Sequence, residues 1–131
     1  MVKFTAKESS FIKKMPEARV ATISSKGWPQ VTTVIHVFDG RHIYFAIDYN
    51  TVKYKNLLKN KKVALAIDVY KRQPSAVIIQ GIAKMFDEGK EFDYALKLLQ
   101  KRHQYYRANP FKPKEAPIVR VEIKRKSSWG L

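Results

Sequence analysis

The sequence predicts a mainly β fold of the α+β kind: six antiparallel strands forming a split β-barrel with flanking helices. Three observations predict it. Apolar β-rich runs recur along the chain and are joined by short turns, so neighbours pair antiparallel. An Asp39-Gly40 dipeptide separates the run Val31 to Phe38 from the run Ile43 to Ile47, a strong hairpin signal. Helical spacing appears only near the start, in the middle and late in the chain. Closing such strands into a barrel removes the exposed edges they would otherwise leave.

Taken in order, Thr5-Ala6-Lys7-Glu8 fits a capping box. Phe11, Ile12 and Met15 then share one apolar face, and Pro16 ends the helix. Arg19 to Ser24 reads as the first strand. Lys26-Gly27 turns the chain, and Trp28-Pro29 leads into the second strand. The Asp39-Gly40 turn is read as a two-residue loop with positive φ at both positions. Asn50 and Thr51 cap a short basic helix, Val52 to Asn60. Val63 to Val69 is a nearly continuous apolar strand, and such runs are buried on both faces or line a closed barrel. After a turn at Tyr70 to Pro74 comes a long strand, Ala76 to Phe86, in which Gly81 signals a bulge. From Glu91 to Tyr106, Phe92, Leu96, Leu99, His103 and Tyr106 recur at helical spacing, with His103 as a packed residue. Asn109 to Pro113 is a loop, Pro117 to Arg125 the last strand, and Lys126 to Leu131 a tail.

A length of 131 residues suits a single domain, 1–131. No apolar run reaches the roughly 18 residues of a membrane span, and the first residues lack a secretory apolar region, so the expectation is a cytoplasmic protein. The absence of cysteine excludes disulfides, thiolate metal sites and cysteine nucleophiles. The net charge of +15 admits three readings: a polyanion or nucleic-acid binder, a site for an anionic small molecule, or solvated surface charge. The basic residues are dispersed, with local clusters only at Lys59 to Lys62 and Lys124 to Lys126.

His36, His42 and His103 share no metal-ligand spacing, so no metal is expected. Nucleotide-binding glycine motifs, nucleophile elbows and paired carboxylates are missing. Any hard chemical step would therefore fall to a cofactor. The candidate is Asn50-Thr51-Val52-Lys53-Tyr54-Lys55, where a capped helix start offers free amides and a positive dipole end to a phosphate. Thr51 could donate to a phosphate oxygen, and Lys53 or Lys55 supplies charge. On these six residues alone, ordinary capping with solvated lysines is the favoured reading.

In its wider context the chain resembles the pyridoxamine 5′-phosphate oxidase-like family of FMN-binding split barrels, from about Glu17 to Trp129. The matching pieces are Arg19 to Ile23, Gly27 to Val34, Asp39 to Phe45, Thr51-Val52-Lys53-Tyr54-Lys55-Asn56-Leu57 and Asn60 to Leu65. The resemblance implies an FMN-binding oxidoreductase, homodimeric, with flavin sites at the subunit interface and NAD(P)H as a donor. It implies that Lys53 binds the phosphate with Thr51 beside it. Val31, Thr32, Thr33 and Val34 would line the isoalloxazine edge through side chains and backbone amides, and Ala46 and Ile47 the ribityl chain. Ser75 and Ala76 would approach from the partner, with Trp129 near the flavin. Two positions where relatives often carry arginine are Val31 and Val52 here; Lys55, Lys61, Lys62 or Arg19 could substitute. The chain lacks the C-terminal Arg-x-His of pyridoxamine phosphate oxidases and the C-terminal histidine of the haem-degrading branch. An F420-binding reductase and a cofactor-free polyanion-binding barrel remain the alternatives, and nucleic acid is not the expected partner.

Overall fold

The computed structural model describes residues 2–131. Its elements in chain order are α1 (Ala6–Lys14), β1 (Glu17–Ile23), β2 (Pro29–Ile35), β3 (Val37–Phe38), β4 (His42–Ala46), α2 (Val52–Lys59), β5 (Lys62–Val69), β6 (Ser75–Phe86), α3 (Lys90–Arg102), α4 (Gln104–Ala108) and β7 (Ile118–Trp129). The strands form one seven-stranded sheet in the order β2-β1-β5-β6-β7-β4-β3. All pairings are antiparallel. The sheet curls so that one face encloses the main core, including Ile12, Val20, Leu65, Val77, Ile79 and Val121. A second cluster, with Tyr44, Phe92, Leu99, Tyr106 and Ile118, lies between the other face and the helices α3 and α4.

Seven strands replace the expected six because His36 interrupts the second run. Its amide leaves the strand ladder and donates to the Pro16 carbonyl at 3.1 Å, which separates β2 from β3. The hairpin is also longer than a two-residue turn. Val37 pairs with Tyr44 and Phe38 with Ile43, leaving residues 39–41 between β3 and β4. Only Gly40 has positive φ there, at 96°. Asp39 instead closes the turn with its carboxylate, which accepts from the amides of Arg41 (2.9 Å) and His42 (2.7 Å).

The long late helix breaks at His103, whose φ of −123° is extended, giving α3 and α4. The His103 ring accounts for the break. Its Nε2 bonds the His36 carbonyl at 2.6 Å, anchoring the junction to the sheet. The expected tail is strand instead. β7 runs on to Trp129, paired opposite Ala76.

That extension is held by α1. Thr5 and Glu8 form the expected capping box. Glu8 is also buried, and its carboxylate accepts from Lys126 Nζ and from Ser128 Oγ at 2.6 Å. Burial opposes its ionisation, but these donors win and hold its pKa down at about 2. Glu8→Gln should cost about 1–3 kcal/mol at neutral pH, because Lys126 loses a charge-assisted partner. Urea unfolding at pH 7 measures it; a midpoint equal to that of the parent would show the contact to be without weight.

Candidate functional site

Helix α2 is placed by its two ends. Asn50 takes φ of 65°, a left-handed position that asparagine tolerates, and turns the chain out of β4. Thr51 accepts from the Tyr54 amide at 3.1 Å and donates its own proton to the Asp48 carbonyl at 3.0 Å. One turn on, Leu57 is buried and Asn56 Nδ2 donates to Thr22 Oγ1 at 3.0 Å, docking the helix on β1. Lys53 lies on the same side of the helix as Asn56. Its Nζ is thereby aimed at β2, where it donates to Thr32 Oγ1 at 2.8 Å.

This ammonium is unusual in its partners. Its only side-chain hydrogen-bond partner among the described residues is a neutral hydroxyl, and no described carboxylate forms an ion pair with it. Its pKa is lowered, because burial outweighs the pull of Asp48. The amides of the first helical turn have no intrahelical acceptors, and the dipole end is positive there. A half-buried cation in no ion-pair contact, beside a helix start, suits a phosphate group. In this structure the Thr51 proton goes to the Asp48 carbonyl and its oxygen caps the helix, so the hydroxyl fixes the helix start.

The other expected residues divide between surfaces. Four consecutive strand residues cannot face one way. Val31 and Thr33 point outward, Val31 with 62% of its surface exposed, whereas Val34 is buried in the main core. Thr32 turns toward Lys53. Ile47 is also core, and its amide donates to the Pro117 carbonyl at 3.1 Å. Ala46 is half-buried and faces a 290 Å³ cleft beside Tyr105, Tyr106 and Phe111, rather than the α2 start.

Ser75, Ala76 and Trp129 do come together, but elsewhere. Ser75 Oγ donates to the Gly130 carbonyl at 2.7 Å, and Ala76 pairs with Trp129. The row of the sheet that holds Val31 continues through Ala21 and Ala64 to Gln80. Ala76 is therefore roughly 13 Å along the strand and roughly 14 Å across the sheet from Val31. Arg19, a candidate substitute for the missing arginines, is already paired with Asp68.

One further surface carries no sequence motif of its own. A 490 Å³ cavity opens on the outer face of β1, β5 and β6, floored by Ala21, Ile23, Ala64 and Ile82, with Lys62 and Arg125 among its lining residues. The continuous apolar pattern of Val63 to Val69 carried the signal, since burial on both faces was one of its two readings. Trp28, beside Pro29 at the rim, is 74% exposed.

The pyridoxamine 5′-phosphate oxidase family profile matches residues 4–129. The chain belongs to this family. The family's split barrel is also seen in solved structures. The haem storage protein HutZ from Vibrio cholerae is 12% identical, with a TM-score of 0.81, over 98% of this chain and 95% of that one. The conserved hypothetical protein Rv2991 from Mycobacterium tuberculosis is 19% identical, with a TM-score of 0.81, over 99% and 86%. An F420 reductase is 22% identical, with a TM-score of 0.70, over 91% and 94%. At these identities the likeness is one of fold. No curated protein matches the chain. Among the described residues of this family member, no helix is long and apolar enough to cross a membrane, and no cluster of metal-ligating side chains occurs.

Proposed function

We propose that this family member is a cytoplasmic homodimer that binds FMN between its subunits and acts as an oxidoreductase on a small acceptor, with NAD(P)H as donor. The observation that carries the reading is Lys53, a half-buried ammonium at the start of α2, held by Thr32 at 2.8 Å and in no ion pair among the described residues. The separation of the expected residues into two groups supports a dimer. In a two-fold assembly the α2 start of one protomer can meet the Ser75–Trp129 region of the other, and both sites form at once. The small apolar residues of the outer face, Ala21, Ala64 and Ile82, suit burial against a second copy.

The bound flavin would supply hydride transfer. The chain's part is to hold it. Lys53 neutralises the phosphate, Thr32 orients Lys53, and Val31 and Thr33 present one outward strip of β2 to the ring. F420 is the second reading, favoured by the basic Lys62 and Arg125 around the outer-face cavity.

The test is a spectrum of the purified protein, followed by titration with FMN, riboflavin and F420. Lys53→Ala should weaken FMN about 10- to 100-fold, the loss of one charge-assisted hydrogen bond, and leave riboflavin nearly unchanged. Equal weakening of both flavins removes the phosphate role. A protein that takes up neither FMN nor F420 removes the reading as a whole.

A further inference from the structure

A second concentration of charge lies at the opposite end of β4 from α2. Arg41, His42, Arg120, Glu122 and Lys124 line one 600 Å³ cleft, walled on its apolar side by Val2 and Ile123. Strand register brings them together. His42 pairs with Glu122 across β4 and β7, and Tyr44 pairs with Arg120. Ala46, where β4 ends, is four residues from His42, about 13 Å, so this cleft is separate from the Lys53 site.

The guanidinium in the cleft is positioned in advance. The Arg120 side chain is only 21% exposed, and its Nη1 donates to Glu91 at 3.1 Å. Glu91 is itself fixed by the Tyr44 hydroxyl at 2.9 Å. Arg120 also sits over the Phe86 ring, 5.2 Å from its centroid, with Lys84 at 5.3 Å from the same ring. In the cleft the acid is Glu122, already engaged by Lys124 at 2.7 Å. Arg41 forms no ion pair among the described residues. Among the side chains lining the cleft, three cations, Arg41, Arg120 and Lys124, stand against the one carboxylate of Glu122, while Asp39 and Glu91 act on His42 from outside that lining. The His42 pKa is lowered, first by burial and then by Arg120, with Arg41 adding and the carboxylates of Asp39 and Glu91 opposing.

We propose that this cleft is a binding site for a phosphate group carried on a small organic molecule. Arg41 supplies mobile charge, Lys124 an ammonium it shares with Glu122, Arg120 a guanidinium fixed by Glu91, and His42 an N–H donor between them. A volume of 600 Å³ lies within the usual span of small-molecule sites and leaves room for more than the phosphate. Val2 and Ile123 offer the apolar wall against which an organic body can rest.

His42 reports occupancy directly. Its imidazole resonances, assigned with a His42→Gln variant, are followed by NMR between pH 6 and pH 8 while adenosine monophosphate, inorganic phosphate or chloride is added at constant ionic strength. The nucleotide should give a saturating shift and raise the His42 pKa by about half a unit or more, because a nearby anion favours the imidazolium. Inorganic phosphate should bind more weakly, and chloride should give no saturating change. The double variant Arg41→Ala, Lys124→Ala, both exposed positions, should weaken the nucleotide at least 10-fold. Lys53→Ala should leave the response intact, which separates this cleft from the proposed flavin site. A response that does not saturate, that chloride reproduces, that inorganic phosphate matches in affinity, or that survives the double variant overturns the proposal.

Discussion

Gly81→Val is expected to be the most damaging single change in the chain, costing at least about 3 kcal/mol and leaving little folded protein. The reason is a backbone contact. Between Gln80 and Gly81 the register of β6 against β7 shifts, with Gln80 opposite Arg125 and Gly81 opposite Ile123. The two strands approach so closely there that a Cβ on Gly81 would collide with the Glu122 carbonyl and lie 2.7 Å from Val121 Cγ1. Neither neighbour can give way easily. The Glu122 carbonyl is main chain, and Val121 is fully buried. Gly81→Ala should already cost about 1–3 kcal/mol, and the branched valine more. Urea unfolding followed by circular dichroism measures both. A Gly81→Val protein within 1 kcal/mol of the parent would show that the strands can part at the bulge without penalty.

The bulge also sets which side chains of β7 reach which surface. Before it, Arg120, Glu122 and Lys124 face outward. After it, the alternation is reversed: Arg125, Ser127 and Trp129 face outward, while Lys126 and Ser128 turn in toward Glu8. Without the extra residue, Trp129 would face the Glu8 side, away from the outer surface where a partner can meet it. The bulge therefore connects a packing constraint to the shape of the proposed interface.

Gly81 was legible in the sequence because a glycine inside an apolar strand marks a bulge or a close approach of two backbones. The capping box of α1 and the α2 start were legible for a similar reason, since each is a local pattern with its own chemistry. The end of β7 was not. Its inward residues are a lysine and a serine, so the alternation of apolar and polar residues that marks a strand is absent. What makes them inward is Glu8, far away in the sequence. The break at His103 was hidden likewise, because the contact that imposes it is with the His36 carbonyl. For the site, the resemblance named Lys53 for the phosphate with Thr51 beside it and Thr32 for the isoalloxazine edge; the contact between Lys53 and Thr32 is the structure's own. The resemblance also named Val31 to Val34 as a lining of side chains and backbone amides, of which strand alternation divides the side chains between two faces. The cleft around His42 lay below sequence reading because β4 and β7 meet only through the sheet order.

Stability should fall steeply as the pH drops from 6.5 to 4, and His36 is the cause. This residue is 2% exposed, and neither ring nitrogen meets hydrogen-bond geometry with a described group. Burial pushes its pKa down to about 4, against the pull of the Met15 carbonyl and with help from His103 and Arg102. In the unfolded chain the same group titrates at its ordinary value of 6.5. Between those two values the unfolded state holds more protons, so stability rises with pH. The contribution is complete above 6.5 and is lost as the pH falls through 4, about 3 kcal/mol in all. His103 adds in the same sense, since burial lowers its pKa too. Glu8 acts in a separate and more acidic window, between its ordinary 4.5 and its folded value of about 2. His36→Leu isolates the first window. It removes the titrating ring and two unpartnered buried nitrogens but keeps the main-chain carbonyl that holds His103. The variant should match or exceed the parent in stability at pH 7, and its curve between pH 6.5 and 4 should be flatter by about 3 kcal/mol. Urea midpoints across this range give the answer, and an acid slope as steep in the variant as in the parent would place the loss in another group.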